Sequence, residues 1–302
     1  MWFRNLLIYP LNAPFELSAE ALHEELSTRH WRECGNLELS ALGWEPPLGR
    51  YGTQLTHAVG NCIMICMRRE EKVMPAAVVN QQLAQRVNAL EEKEGRKVRR
   101  REQAEMKDEI ILDLLPKAFV KTVLTYAYID SGNGWLLVDT SSTKRAEDLI
   151  SLLRETLGSL PLNPLQLNDS PVTEMTRWLQ GGGVPREFVI GDECEMRDPA
   201  EEGSMVRCRR LDLEGKEIAG HLKAGKEVVK IAVEWQQKIS FVLTAEAALK
   251  RLKFLDLIQE AAAESEAEDE ASRFDGDFAV MSLELGSLIN SLIGLFGGIV
   301  KE

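Results

Sequence analysis

Histidine and cysteine, the residues from which nucleophilic and metal sites are most often assembled, are scarce in this chain: four histidines and five cysteines in 302 residues. The histidines, His23, His30, His57 and His221, are dispersed. His57, within LTHAVG, reads as a core or capping residue rather than a base. The cysteines, Cys34, Cys62, Cys66, Cys194 and Cys208, are odd in number and scattered, so no disulfide framework is legible and a reducing cytoplasm fits. Cys62 and Cys66 fall on one face of a strand in NCIMICMR without two further ligands at metal-type spacing, and read as buried structural thiols. Cys194 and Cys208 can lie across a hairpin, with the same reading. Catalytic motifs are missing too. Ala224-Gly225-Lys226 lacks the leading glycine and the following Ser or Thr of a phosphate-binding loop, and Gly181-Gly182-Gly183 reads as a helix stop rather than a dinucleotide fingerprint. Neither GxSxG nor HExxH occurs. The residues thus point away from an enzyme, and from any cofactor or metal. A paired-carboxylate nuclease stays open, because the chain holds 48 acidic residues, although no spacing singles out a set.

Long apolar runs are nearly absent as well. The N-terminal MWFRNLLIYPL has no basic leader and no small-residue cleavage site, and reads as a first strand. Val280 to Val300 is the only stretch of membrane length; it contains Glu284, Asn290 and four glycines, which favours an interface or core helix and no membrane contact. Its Leu285, Leu288, Leu292, Leu295 and Ile299 recur at helical spacing.

What is present is an ordinary apolar content of 44%, enough for one large domain or two modest ones. The pattern predicts an α+β fold, with mixed or antiparallel sheets, packed helices and a projecting two-helix finger. Residues 1–74 and 114–160 form an N-terminal α+β region, 75–113 an inserted helical hairpin, and 161–302 a C-terminal α+β region. In the first region, Ser18 caps a helix carrying Leu22 and Leu26, GWEPPLG (Gly43–Gly49) is a rigid turn, and NCIMICMRRE is a strand. Pro75 opens the insert, where Val79, Leu83, Val87 and Leu90 make one helical stripe and Ile110, Ile111, Leu114 and Leu115 another. With an elbow near Gly95, two antiparallel helices over about 76–94 and 99–115 would each run roughly 25 Å. Further on, Val120–Tyr128 and Trp135–Val138 read as a hairpin, Ser141–Thr143 caps a helix ended by Gly158, and Ser170-Pro171 starts another. Strands are expected at 187–196, 205–213 and twice within Glu227–Thr244, and a helix over Ala245–Ala263. From Glu264 to Asp277 seven acids oppose Arg273 alone, which reads as a solvated acidic loop.

The net charge is -12, yet five of the six residues from Arg96 to Arg101 are basic (Arg96, Lys97, Arg99, Arg100, Arg101), with Lys93 close by. A gathered patch can hold phosphates while distant acid is screened over a Debye length of about 8 Å. Three readings are open: a solvated elbow partly neutralised by Glu91, Glu92, Glu94 and Glu102, a grip on nucleic-acid phosphates, or a localisation signal. No base-reading motif accompanies the run, so any DNA binding should depend weakly on sequence. Lys117, Lys121, Lys250, Arg251 and Lys253 are further candidates by charge alone. Phe119, between Lys117 and Lys121, is either a core residue or a subunit contact. With Leu288 and Leu292 it is a candidate for a dimer interface.

Ordered segments along the whole chain resemble the recombination-associated RdgC family of bacterial nucleoid proteins: WFRNLLIY, Cys34-Gly35 before GWEPPLG, LTH at 55–57, REEKVMP at 69–75, LLPKAF at 114–119, KRAEDLISLLRETLGSLP at 144–161, AGKEVVKIAVEW at 224–235, LKRLKF at 249–254 and RFDGDF at 273–278. The resemblance implies a cytoplasmic, nucleoid-associated, non-enzymatic protein without a required cofactor. It would bind duplex DNA, and single strands more weakly, without sequence preference. It would form a homodimeric ring with a positive central hole and restrain the RecA recombinase by occupying DNA. The basic run falls where the family carries a lysine-rich helical protrusion, so Arg96, Lys97, Arg99 and Arg100 match basic positions; arginine in place of lysine adds bidentate phosphate geometry. Two competing classes are a protein-interaction module docking a partner through the C-terminal helix and acidic loop, and a metal-dependent nuclease.

Overall fold

A computed structural model of the chain describes residues 1–201, 203–263 and 269–300. In chain order it forms β1 (Asn5–Pro10), α1 (Ala19–Ser27), β2 (Ser40–Glu45), β3 (Thr56–Val59), β4 (Cys62–Val73), α2 (Ala76–Glu94), α3 (Arg100–Leu114), β5 (Phe119–Asp130), β6 (Trp135–Val138), α4 (Thr143–Leu157), α5 (Pro171–Leu179), β7 (Phe188–Arg197), β8 (Met205–Arg209), α6 (Lys216–Lys223), β9 (Glu227–Trp235), β10 (Ile239–Thr244), β11 (Leu249–Phe254), α7 (Asp256–Ala263) and α8 (Glu270–Leu295). The fold is α+β. The strands join in one sheet ordered β2-β4-β5-β6-β1-β11-β10-β9-β7-β8, with β3 also on β4, and every pairing between them is antiparallel. β1 sits in the middle, bonded to β6 on one side and β11 on the other.

The apolar runs of β1 and β4 follow from where they lie. Alternate side chains point to opposite faces of a strand, and in this half of the sheet both faces are covered. Leu6, Ile8, Cys62 and Met64 enter the larger core, with Phe278, Met281, Leu285, Leu288, Ile289 and Leu292 of α8. Ile63, Ile65 and Met67 enter a second core, with Leu22 and Leu26 of α1 and Leu149, Leu152 and Leu153 of α4. The half made by β7 to β11 is covered on one face only, by α5, α6, α7 and α8. β9 accordingly buries Val228, Ile231, Val233 and Trp235 while Lys230, Ala232 and Glu234 stay partly exposed.

Helices α2 and α3 lie where the two apolar stripes place them. Gly95 ends α2 in the left-handed conformation, φ 64°, which a residue with a Cβ adopts at a cost of about 1–2 kcal/mol. Its N–H donates to the Glu91 carbonyl at 2.9 Å. The helices pack on each other and are tied by Arg86, 2.6 Å from Asp113 and 3.7 Å from Glu109. Val79 is the buried residue of α2 and Ile110 that of α3.

Several expectations need correcting. The helix expected over Ala245–Ala263 is a turn, then strand β11, then α7. The cause is a β-bulge: one residue of β11 is extra between the pairs Val242↔Lys250 and Ser240↔Lys253, and Arg251 there has φ 55°. The bulge spaces the buried Leu249 and Leu252 three apart, imitating a helical period. Gly43 to Glu45 belong to β2 rather than to a turn. A Cβ on Gly43 would lie 2.4 Å from the Trp31 Cα, so only glycine fits there. Helix α8 starts well before its leucine stripe: Asp269 caps it by accepting from the Ser272 N–H at 2.7 Å, and residues 270–277 form its first turns rather than a loop. Glu264, Glu266 and Glu268 lie outside the described residues. By length and composition α8 could cross a membrane, and its apolar stripe is packed into the larger core.

Candidate nucleic-acid interface

The basic run occupies the elbow between α2 and α3, and the elbow neutralises much of its own charge. Glu91 accepts from Lys97 Nζ at 2.7 Å and from the Val98 N–H at 3.0 Å, which folds the connection back onto α2. Arg96 meets Glu102 with two bonds, 2.9 and 2.7 Å, and lies 2.7 Å from Glu94. This partnership with Arg96 holds the Glu102 carboxyl down at about 2, and Lys97 lowers Glu91 in the same way. Arg101 pairs with Glu105 at 3.1 Å. Between Glu91 and Glu105, six cations stand among five acids. Arg99 acts on Glu102 through its charge; among the described residues, Lys93 and Arg100 carry no ion pair. The patch read from sequence is therefore closely compensated. Because Lys97 and Arg101 are more than nine-tenths exposed, such pairs are screened by solvent, add little to stability and can exchange a carboxylate for a phosphate at small cost.

A second cationic surface lies on the open face of β7 to β11. Lys250 and Lys253, opposite Val242 and Ser240, point away from the helices. Arg251, across the bulge, reaches Glu193 at 2.8 Å. Glu193 is shared with Arg209 at 3.4 Å, and Glu195 is shared between Arg207 at 2.7 Å and Lys230 at 2.5 Å. With Glu234 on the same face of β9, these six cations stand over three carboxylates, and Arg197, paired with Glu227 at 3.8 Å, lies beyond them on the same face. Lys250 and Lys253 have no ion pair among the described residues. Sequence reasoning proposed Lys250, Arg251 and Lys253 but missed Arg207, Arg209 and Lys230. The signal was there in Arg207 and Arg209, two apart on a strand, which places both on one face. What was lacking was the strand order that brings β8 and β9 beside β11.

Lys117 and Lys121 are exposed at the foot of the helix pair, Lys121 opposite Glu71 of β4, and join neither surface. Phe119 is 85% exposed, so it is not a core residue. It opens β5, opposite Val73, beside the exposed Val120 and Leu124. β6 pairs only with Ala127–Asp130, so the other edge of β5 is unpaired from Phe119 to Thr125. Leu288 and Leu292, by contrast, are 0% and 5% exposed inside the protomer's own core and have no surface to offer a second subunit. His57 is half-buried against Phe274, its Nε2 3.2 Å from Asp275 but off the hydrogen-bond line, and burial lowers its pKa. Burial raises Cys62 to about 11 and Cys66 to about 12. Among the described residues, no three His, Cys, Asp or Glu side chains gather as a metal-holding group.

Residues 1–299 match a family model described as "Putative exonuclease, RdgC". Proteins named recombination-associated protein RdgC are similar over nearly the full length. That of Psychromonas ingrahamii is 44% identical over 298 residues, covering 99% of both chains. That of Aeromonas hydrophila is 41% identical, covering 99% of this chain and 98% of its own. That of Proteus mirabilis is 40% identical, covering 99% of both. The family description speaks of an exonuclease, whereas these relatives are named for recombination.

Proposed function

The chain belongs to the RdgC family of recombination-associated proteins, and from that premise we propose that it binds DNA without sequence preference. It acts as a homodimeric ring around duplex DNA, with weaker hold on single strands, in the cytoplasm at the nucleoid, and restrains the RecA recombinase by occupying DNA. The observation that carries this reading is the open sheet face, where Arg207, Arg209, Lys230, Lys250, Arg251 and Lys253 stand over Glu193, Glu195 and Glu234 in a chain of net charge -12. Such a face contacts phosphates, which position a protein on DNA but carry no sequence. Helices α2 and α3 serve as a projecting finger whose elbow, with Lys93 and Arg100 unpaired, is a secondary contact that guides DNA to the sheet. The exposed Phe119 on the unpaired edge of β5 supports a subunit contact there. A gel shift with random-sequence duplex at two salt concentrations tests the reading. Binding that weakens steeply with salt and equally for unrelated sequences is expected, and no binding at low salt would refute it.

The partner-docking alternative loses part of its support, because Leu285, Leu288 and Leu292 of α8 are buried within the protomer, which leaves Leu283 as the exposed leucine of that helix. The family description favours a second reading, a metal-dependent nuclease. Incubation of supercoiled and linear DNA with the protein and Mg²⁺ or Mn²⁺ decides it: shortened linear strands would establish it, and intact DNA at stoichiometric protein would refute it.

A further inference from the structure

Cys194 and Cys208 are directly opposed in the antiparallel pairing of β7 with β8, the edge strand of the sheet. The register is held on the other face by the flanking pairs Glu195–Arg207 at 2.7 Å and Glu193–Arg209 at 3.4 Å. Residues directly opposed in an antiparallel pair have Cα atoms about 4.5 or 5.5 Å apart, depending on whether they exchange backbone hydrogen bonds. Both distances lie within the roughly 4.4–6.8 Å that a disulfide spans. Opposed residues also point to the same face, so the two sulfur atoms face one another. Cys194 is buried, and Cys208 is partly exposed on the edge strand. Nothing else in the chain resembles this pair. Cys62 and Cys66 are four residues apart on one strand, about 13 Å, and cannot be joined. Cys34 sits alone in the other half of the molecule, its thiol donating to the Glu38 carbonyl at 3.3 Å.

We propose that Cys194 and Cys208 are a thiol oxidation site, converted by a hydroperoxide to a cross-strand disulfide that ties β8 to β7. Cys208, the more accessible thiol, is oxidised first. Its thiolate attacks the peroxide, forming an S–O bond and breaking the O–O bond, and the departing oxygen leaves as an alcohol or water after taking a proton. Cys194 then attacks the Cys208 sulfur, forming the S–S bond and expelling hydroxide, which takes the Cys194 proton and leaves as water. In sum, two thiols and one hydroperoxide give one disulfide, one alcohol or water and one further water. The two sulfurs together lose two electrons and the peroxide gains two. Burial, then the adjacent Cys208, pushes the Cys194 thiol up, which argues against Cys194 as the first nucleophile. Cys208 lies between Arg207 and Arg209 in sequence, so the bond would fix the edge strand that carries both to the open cationic face.

The test uses the full chain, exposed to hydrogen peroxide, quenched with an alkylating agent and analysed by intact mass and peptide mapping. Two of the five free thiols should disappear, with the loss of two hydrogens and a crosslinked peptide containing Cys194 and Cys208; dithiothreitol should restore all five. The Cys34→Ser variant should behave alike and the Cys208→Ser variant should form no crosslink. Five thiols surviving at peroxide doses that oxidise a free-thiol control would overturn the proposal. So would a crosslink through another cysteine, or over-oxidation of Cys208 without any disulfide. Because the decisive measurement is made on the unaltered protein, misfolding of a variant does not obscure it.

Discussion

Replacing Lys250 and Lys253 together by glutamine separates the sheet face from the elbow as the site of DNA binding. Glutamine keeps much of each aliphatic stem and removes only the charge, and both lysines lack ion pairs among the described residues, so no carboxylate is left unpaired by the change. If all six cations of the face meet a phosphate, log K should fall against log salt with a slope of about -5.4, which is roughly a thousandfold loss between 50 and 200 mM. The double variant should lower the steepness by about 1.8, so the advantage of the unaltered protein grows about twelvefold as salt falls across that range. Fluorescence anisotropy with a random duplex at four salt concentrations gives both slopes. The matching change at the elbow, Lys93→Gln with Arg100→Gln, should alter the slope by less. An unchanged slope for the Lys250/Lys253 variant, or a larger change for the elbow variant, refutes the assignment of the main contact to the sheet.

Phe119→Asp should convert a dimer to a monomer in sedimentation equilibrium with little loss of stability, since the side chain is 85% exposed in the protomer; an unchanged mass would remove Phe119 from the interface. Leu288→Ala should cost about 2–5 kcal/mol in denaturant unfolding, as a large-to-small change in a packed core does, and dissociation at full folding stability would show that the residue lies between subunits after all. Burial holds the folded-state pKa of His57 below its unfolded value near 6.5, so stability present above that pH should fall as the unfolded chain takes up the proton first. The urea midpoint should therefore drop from pH 7 to 5.5 by more in the unaltered protein than in His57→Gln, and equal drops would contradict this. Glu102→Gln combined with Glu94→Gln, which retains an acceptor for the Arg99 N–H while removing both carboxylates that Arg96 meets, should steepen the salt slope by about one phosphate contact if the elbow touches DNA; a slope identical to that of the unaltered protein would place the elbow off the DNA.

The local structure was legible wherever side-chain periodicity and turn chemistry agreed. The stripes Val79–Leu90 and Ile110–Leu115, with Pro75 before them and Gly95 between, located α2 and α3 to within a residue or two. Ser142 and Gly158 bounded α4 as expected. β11 was misread because its bulge at Arg251 sets Leu249 and Leu252 at a helical interval, and only the hydrogen bonds to β10 and β1 distinguish the two. The early turns of α8 were misread because their acids suggest a solvated loop. Asp269 in fact caps the helix and Glu270 lies in its first turn, where negative charge is favourable, while Asp275 meets His57 and Asp277 the N-terminal amine. The candidate site was half legible. A run of five basic residues is visible without any structure, whereas the sheet face draws its cations from β8, β9 and β11, which are separated in sequence by up to 46 positions. No linear pattern reports that assembly.

The two surfaces differ in a way that bears on mechanism. At the elbow each acid is close in sequence to the cation it meets: Glu91 to Lys97, Glu94 and Glu102 to Arg96, Glu105 to Arg101. That local compensation stiffens the connection between two helices and leaves little net field beyond a Debye length of about 8 Å. On the sheet the carboxylates are outnumbered, and Glu193 and Glu195 each serve two cations, which aligns guanidinium and ammonium groups while leaving charge unspent. A molecule of net charge -12 gains little from long-range attraction to a polyanion. On the proposed reading its hold would come from contacts made once DNA is already near, and individually weak phosphate contacts give residence only if something else prevents escape. The proposed enclosure by a second copy of the chain would meet that need, and it would give a use to Phe119, the most exposed large apolar side chain, on the free edge of β5 at the foot of the helix pair rather than on the cationic face.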